Sequence, residues 1–279
     1  MIRACVIGWP IAHSRSPLIH GYWLRRYGVD GAYTKEAVRP EDARDFLKGL
    51  SARGLSGCNV TIPHKETAFA VADERDAAAR AVGAANTVWR ENGRLCVSNT
   101  DTYGYMTYLG IAAPGWTARD APVCVLGAGG AARAIVHGFL EAGVSAARVF
   151  ARARGKSDAI AAHFGPRVQA FDWGERENRS RDAGVVVNTT PVGLGGQDGE
   201  TPIGVADLAP DCVVSDIVYA PLETALLAAA RARGLATVDG LGMLLHQAVP
   251  GFEKWFGVRP EATPALYDLI AADIRGRRC

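Results

Sequence analysis

Short runs of β-branched and aliphatic residues alternate along this chain with longer stretches whose apolar positions recur at helical spacing. That alternation predicts strands joined by crossover helices, an α/β fold. In the first third it predicts strands over residues 2–7, 32–38 and 58–61 and helices over 17–27 and 40–52. Ser16-Pro17 and Arg39-Pro40 put proline in a first helical turn, where its missing N–H costs nothing, and Gly28 and Gly54 can supply left-handed stops. A strand ending at Arg90, the pair Asn92-Gly93 and a strand from Arg94 to Ser98 spell a hairpin.

A second set of strands is predicted over 123–126, 148–151, 185–188, 213–217 and 236–238, with helical segments between them, as in a separate doubly wound sheet. The chain crosses between the sets within 103–121, which Gly110, Pro114 and Gly115 punctuate. After Gly240 only helical patterns follow, over 241–256 and 263–275. The expected organisation is an N-terminal α/β domain (1–103), a Rossmann-like doubly wound domain (104–240) and C-terminal helices (241–279) that return to the first domain.

Composition narrows the partners. The 279 residues suggest about two domains at roughly 150 residues each. Thirty-one basic against 29 acidic residues leave a net charge of +2, without the basic footprint of a nucleic-acid binder. No run reaches the roughly 18 apolar residues of a membrane span, and no secretory signal is visible, so a cytoplasmic protein is expected. The six cysteines (Cys5, Cys58, Cys96, Cys124, Cys212, Cys279) form no C-x-x-C pair and read as reduced thiols in apolar strands. Only five of the 31 basic residues are lysines, so a lysine inside a motif carries weight.

The strand at 123–126 runs directly into Gly127-Ala128-Gly129-Gly130-Ala131-Ala132, which meets the G-x-G-x-x-G/A pattern of a dinucleotide loop. Gly127 permits the tight turn, Gly129 lets a pyrophosphate approach the backbone, and Ala132 allows close packing at a helix N-terminus whose free N–H groups face the anion. A glycine-rich turn without a ligand is the alternative. At the end of the next strand an NAD site would carry an acid for the ribose. Here stand Arg148, Arg152, Arg154 and Lys156, which suit a 2′-phosphate and favour NADP over NAD, ordinary surface charge being the other reading.

Five further groups carry polar chemistry: Ser14-Arg15-Ser16-Pro17, Asn59-Val60-Thr61-Ile62-Pro63-His64-Lys65, Asn86-Thr87, Asn99-Thr100-Asp101, and Asp239-Gly240-Leu241-Gly242-Met243 followed by Gln247. Singly each has a plain reading: Ser16 or Asp101 as a helix cap, Lys65 as a surface lysine. His13, His20, His64 and His246 lack metal-ligand spacing and read as structural, His64 being placed to tune Lys65; no metal is expected.

In this order, beside the glycine loop, these groups closely resemble the shikimate dehydrogenase family, from Val6 to about Gly257. The resemblance implies reversible reduction of 3-dehydroshikimate to shikimate with NADP, within the pathway to aromatic amino acids. It implies that Ser14 and Ser16 bind the substrate carboxylate with Tyr219 assisting, and that Thr61, Asn86, Asp101 and Gln247 hold ring hydroxyls. Lys65 would be the acid/base residue and Asp101 its partner. Gly127, Ala128, Gly129, Gly130 and Ala131 would hold the pyrophosphate, Arg152, Arg154 and Lys156 the 2′-phosphate, and Ile217 and Gly240 would line the nicotinamide side. The family's Asn-Arg-Thr-x-x-Arg stretch is Ala151-Arg152-Ala153-Arg154-Gly155-Lys156 here, so the phosphate grip is weaker or rebuilt with Arg154. Alternatives are a quinate/shikimate dehydrogenase paralogue using NAD or NADP, and a non-catalytic NADP or metabolite sensor on the same fold. Expected partners are the small-molecule substrate and NADP, with no nucleic acid or membrane, in a monomer or homodimer.

Overall fold

The computed structural model describes residues 1–118, 120–196 and 199–276, and the chain divides into two compact units. One comprises Met1–Asp101 and Gln247–Ile270, the other Thr102–His246 and Ala271–Cys279.

The first unit is built on six strands: β1 (Ile2–Gly8), β2 (Gly31–Ala37), β3 (Gly57–Val60), β4 (Glu74–Arg75), β5 (Thr87–Glu91) and β6 (Arg94–Ser98). Their order is β2-β1-β3-β5-β6-β4, with β1 parallel to β2 and β3, and the β5–β6 hairpin antiparallel to β3. Asn92 and Gly93, both at positive φ, make its turn. Helices α1 (Ser16–Arg26), α2 (Ala43–Lys48), α3 (Lys65–Val71) and α4 (Ala77–Val82) complete this part. The helix expected over 40–52 is in fact α2 flanked by two 3-10 turns, Pro40–Asp42 and Ser51–Arg53, because Gly49 closes α2. A core of Ile7, Leu47, Leu50, Cys58, Val88 and Val97 lies against the sheet.

The second unit holds six parallel strands in the order β12-β11-β10-β7-β8-β9: β7 (Val123–Leu126), β8 (Ala147–Ala151), β9 (Val168–Asp172), β10 (Val185–Asn188), β11 (Val213–Asp216) and β12 (Ala236–Val238). This is the doubly wound order in which the chain reverses direction beside the first strand, and ligands bind at such a switch point. β7, β10 and β11 are buried along their whole length, which is why residues 123–126, 185–187 and 213–214 read as apolar runs. β9 was not foreseen. It is an edge strand paired only with β8, and its Val168-Gln169-Ala170-Phe171-Asp172 carries too little apolar pattern. The helices are α5 (Asp101–Ala112), α6 (Gly130–Glu141), α7 (Arg154–Phe164), α8 (Arg176–Arg179) and α9 (Ala225–Ala232), followed by α10 (Gly240–Phe256) and α11 (Pro264–Gly276), the latter belonging to the first unit as far as Ile270. From Gln247 onward α10 belongs to the first unit, where the Trp255 indole N–H donates to the Val88 carbonyl at 2.9 Å. Among the described residues no helix is long and apolar enough to cross a membrane.

Candidate active site

β3 ends at Val60, and the next residues turn tightly: the Thr61 N–H donates to Ile7 O (3.0 Å) and the Thr61 carbonyl accepts from His64 N (2.9 Å). The His64 ring, fully buried, donates to Val38 O at 2.8 Å, so it anchors this turn and is engaged there. Lys65 then opens α3. Its carbonyl accepts from Ala85 N (3.0 Å), tying the start of α3 to the segment that carries Asn86 into β5.

The Lys65 Nζ donates to Asp101 Oδ2 at 2.5 Å, with 21% of the lysine side chain and 8% of the aspartate exposed. The other Asp101 oxygen accepts from Asn86 Nδ2 at 2.8 Å. Asn86 is the hub. Its Oδ1 accepts from Thr100 N (2.8 Å) and Thr87 Oγ1 (3.0 Å), while its Nδ2 also reaches Gln247 Oε1 at 3.4 Å. Thr100 Oγ1 donates to the Gln247 carbonyl (2.8 Å), fixing that turn of α10. Asn59, held by the Tyr33 hydroxyl at 2.6 Å, supports the hub from β3 through Asn86 O (3.3 Å). Such a network holds its carboxylate in one orientation, because every turn of the Asp101 side chain would break a buried bond. Asp101 is therefore engaged by Lys65 and Asn86, and the Asp101 N–H is itself received by Asn99 Oδ1 (3.1 Å).

Ser14 and Ser16 pair at the start of α1, Oγ to Oγ at 3.3 Å, with Ser16 buried. Ser16 does not cap α1: the cap position is Arg15, and the Ser16 N–H at the start of the helix donates to Ser14 Oγ at 3.3 Å. Two hydroxyls thus share one corner.

In the second unit the glycine loop joins β7 to α6. Gly127 has φ +115°, and a Cβ there would lie 2.5 Å from Thr189 Oγ1, so only glycine makes this turn. Gly129 and Gly130 have nothing within 4 Å of where a Cβ would stand, which leaves the backbone open to approach. The loop borders a cavity of about 540 Å³ reached also by Ala128, Arg152, Lys156, Trp173, Arg176, Thr189 and Thr190. A glycine cradle at a helix N-terminus with cations along the neighbouring strand edges fits a phosphorylated dinucleotide. Ala131 follows within the first turn of α6. Arg154 does not line the cavity; its guanidinium is bonded to Asp158 (2.9 Å) and Asp172 (3.3 Å). Arg148 is likewise engaged, by both oxygens of Asp182. Sequence reading missed Trp173 and Arg176, which follow the unforeseen β9, and Thr189 and Thr190, for which a hydroxyl pair directly after a buried strand was the available signal.

Asp216, at the end of β11, is buried and accepts from Val218 N (3.0 Å), Asn188 Nδ2 (3.0 Å) and Thr224 Oγ1 (2.8 Å). Burial pushes its carboxyl up to about 6. This knot shapes the segment Ile217-Val218-Tyr219, in which Ile217 and Tyr219 are partly exposed. Gly240 packs on the same segment: a Cβ there would lie 2.3 Å from Ile217 O.

Comparison with known proteins matches residues 6–88 to the shikimate dehydrogenase substrate binding domain and 240–265 to the shikimate 5'-dehydrogenase C-terminal domain. A shikimate dehydrogenase (NADP(+)) of Brucella abortus is 53% identical over 274 residues, 98% of this chain and 94% of its own. The chain belongs to the shikimate dehydrogenase family. The family's solved structures agree: a shikimate 5-dehydrogenase of Thermus thermophilus in complex with NADP(H) and shikimate matches with TM-score 0.87 at 34% identity, covering 98% of this chain and 100% of that one. A quinate dehydrogenase of Corynebacterium glutamicum in complex with NAD matches with TM-score 0.89 at 29% identity, covering 97% and 99%. Likeness of fold therefore extends to a relative with a different substrate and cofactor.

Proposed function

We propose that this protein catalyses the NADP-dependent, reversible reduction of 3-dehydroshikimate to shikimate. The observation that carries the reading is the Lys65–Asp101 pair at 2.5 Å, held by the Asn86 hub in a chain 53% identical to a shikimate dehydrogenase (NADP(+)).

The cofactor, when bound, supplies the hydride in reduction and accepts it in oxidation. The Lys65 ammonium donates a proton to the substrate's carbonyl oxygen in the reductive direction and recovers it in the oxidative one. A lysine can do this and an arginine cannot, since a guanidinium does not release its proton in a protein. Asp101 aims the ammonium, and Asn86 stops Asp101 from rotating away. The weakest bond of the hub, Asn86 Nδ2 to Gln247 Oε1 at 3.4 Å, is the one a ring hydroxyl can replace, with Thr61 and Asp101 as further hydroxyl partners. Ser14 and Ser16 hold the substrate carboxylate. Gly127, Ala128, Gly129, Gly130 and Ala131 receive the pyrophosphate, Arg152 and Lys156 the 2′-phosphate, and Ile217 and Gly240 face the nicotinamide. The setting is the cytoplasm, with the protein acting as a monomer or homodimer on small molecules.

The test is a two-by-two assay of shikimate and quinate oxidation with NADP and NAD. Highest kcat/KM for shikimate with NADP is expected. Preference for quinate or NAD would move the protein to the quinate branch, and absence of turnover with all four pairs would make it a binding protein.

A further inference from the structure

Among the described residues three cations line the nucleotide cavity: Arg152, Lys156 and Arg176. The first two lie in the stretch after β8. Arg176 comes from the stretch after β9, and its geometry differs from theirs. Its guanidinium lies over the Trp173 ring at 4.6 Å, its Nε donates to Pro202 O (2.6 Å) and its Nη1 to Trp173 O (2.8 Å). Two of its five N–H donors are thereby used and three stay available. Among the described residues the acid paired with it, Glu177, stands 3.8 Å from Nη2, beyond hydrogen-bond range, and its own oxygens receive Gly204 N at 3.1 and 3.3 Å. Glu200 is the one carboxylate among the described residues lining the cavity. The guanidinium is therefore pre-oriented, 22% exposed and still able to donate. A fork held in this way loses little freedom when it binds an anion.

We propose that Arg176, braced on Trp173, is a specificity-determining residue for the 2′-phosphate of NADP and supplies the grip that Arg154 does not. The inference rests on the dinucleotide reading above. It assigns the rebuilt phosphate subsite to two strand edges, Arg152 and Lys156 after β8 and Arg176 after β9, where the family's motif draws on one. Trp173 holds the fork and offers its remaining face to the cavity.

The test measures R176Q and R176K beside the wild type, by kcat/KM for NADP and NAD and by calorimetric binding of 2′,5′-ADP and 5′-AMP. A lost hydrogen-bonded charge pair corresponds to about 10- to 100-fold. R176Q is expected to lose that factor in KM for NADP and in affinity for 2′,5′-ADP, with NAD and 5′-AMP unchanged. R176K, which keeps the charge without the fork, should fall between. Equal losses for 2′-phosphorylated and plain ligands would overturn the proposal in favour of a structural brace, and unchanged 2′,5′-ADP affinity would overturn it outright. If R176Q does not fold, R176K decides by the same ratio. A wild type that discriminates NADP while R176Q discriminates equally well refutes this inference alone; a wild type that binds neither nucleotide refutes the cofactor reading.

Discussion

Removing the charge from either end of the Lys65–Asp101 pair, and then from both, tests the proton-transfer reading directly. At 2.5 Å two unit charges attract by about 1.7 kcal/mol at an effective dielectric of about 80 and about 6.6 kcal/mol at about 20. Because Lys65 keeps 21% of its side chain exposed, the lower half of that range applies, about 2–4 kcal/mol. Lys65→Met deletes the proton donor and should lower kcat by about 10²–10⁴. Asp101→Asn keeps the shape but brings an amide N–H against either Lys65 Nζ or Asn86 Nδ2, both donors, so the ammonium loses its aim and one buried donor its acceptor. A drop of the same order in kcat is expected. Since the two residues act as one device, the double variant should be no more than about tenfold worse than the worse single. The assay is the initial rate of shikimate oxidation, followed by formation of reduced cofactor at saturating NADP, with thermal unfolding of each variant as the control. If the two losses multiply in the double variant, the residues work independently and the pair is not the unit of catalysis. Near-normal turnover of Lys65→Met would remove the lysine from the chemistry altogether.

Arg152→Asp should lower kcat/KM for NADP by at least about tenfold and raise the relative use of NAD, measured as the ratio of the two; an unchanged ratio would place the phosphate elsewhere. His20 is fully buried and stacked on Tyr33 at 3.9 Å, and burial, which outweighs the opposing effect of nearby Asn59, lowers its pKa from 6.5 to about 3. Its stabilising contribution is complete above pH 6.5 and is lost as pH falls toward about 3, by about 1.4 kcal/mol per unit, because the unfolded chain takes the proton first. His20→Phe should flatten the acid limb of a Tm-against-pH curve over that window, and parallel curves would reject the assignment. Asp216 has the opposite sign: raised by burial to about 6 from 3.8, it favours the fold most below pH 3.8, and this is lost as pH rises through 6. The Tm difference between Asp216→Asn and wild type should therefore change between those pH values and be flat above them.

Much of the fold was legible because parallel strands buried on both faces are apolar along most of their length, as Val123–Leu126 and residues 185–187 are. Edge strand β9 escapes that rule, and the omission had a cost in the site. Its last residue, Asp172, takes a share of Arg154, while the turn after it presents Trp173 and Arg176 to the cavity. Counting basic residues after β8 could not show which were neutralised by a carboxylate eighteen positions away in sequence and adjacent across the sheet. The same limit applies at Ser16 and Asp101. A serine before proline and an aspartate before a helix both admit a capping role, and only the positions of Ser14, Lys65 and Asn86 show what those side chains meet instead. The broken helix at 40–52 has a local cause, Gly49, that helical periodicity does not register.

Asn86 has a bearing on how such a site can change over evolutionary time. Its carbonyl oxygen lies within reach of three donors, Thr100 N at 2.8, Thr87 Oγ1 at 3.0 and Thr100 Oγ1 at 3.1 Å, and its amide nitrogen reaches two acceptors at 2.8 and 3.4 Å. Aspartate in its place would lose the donor, and serine or alanine would strand Thr100 N and an Asp101 oxygen together. Each single step thus leaves buried polar atoms without partners, at about 1–3 kcal/mol apiece. The position is an epistatic lock: because Asn86 serves Thr100, Thr87, Asp101 and Gln247 at once, a substitution there restores its bonds only together with compensating changes at those partners.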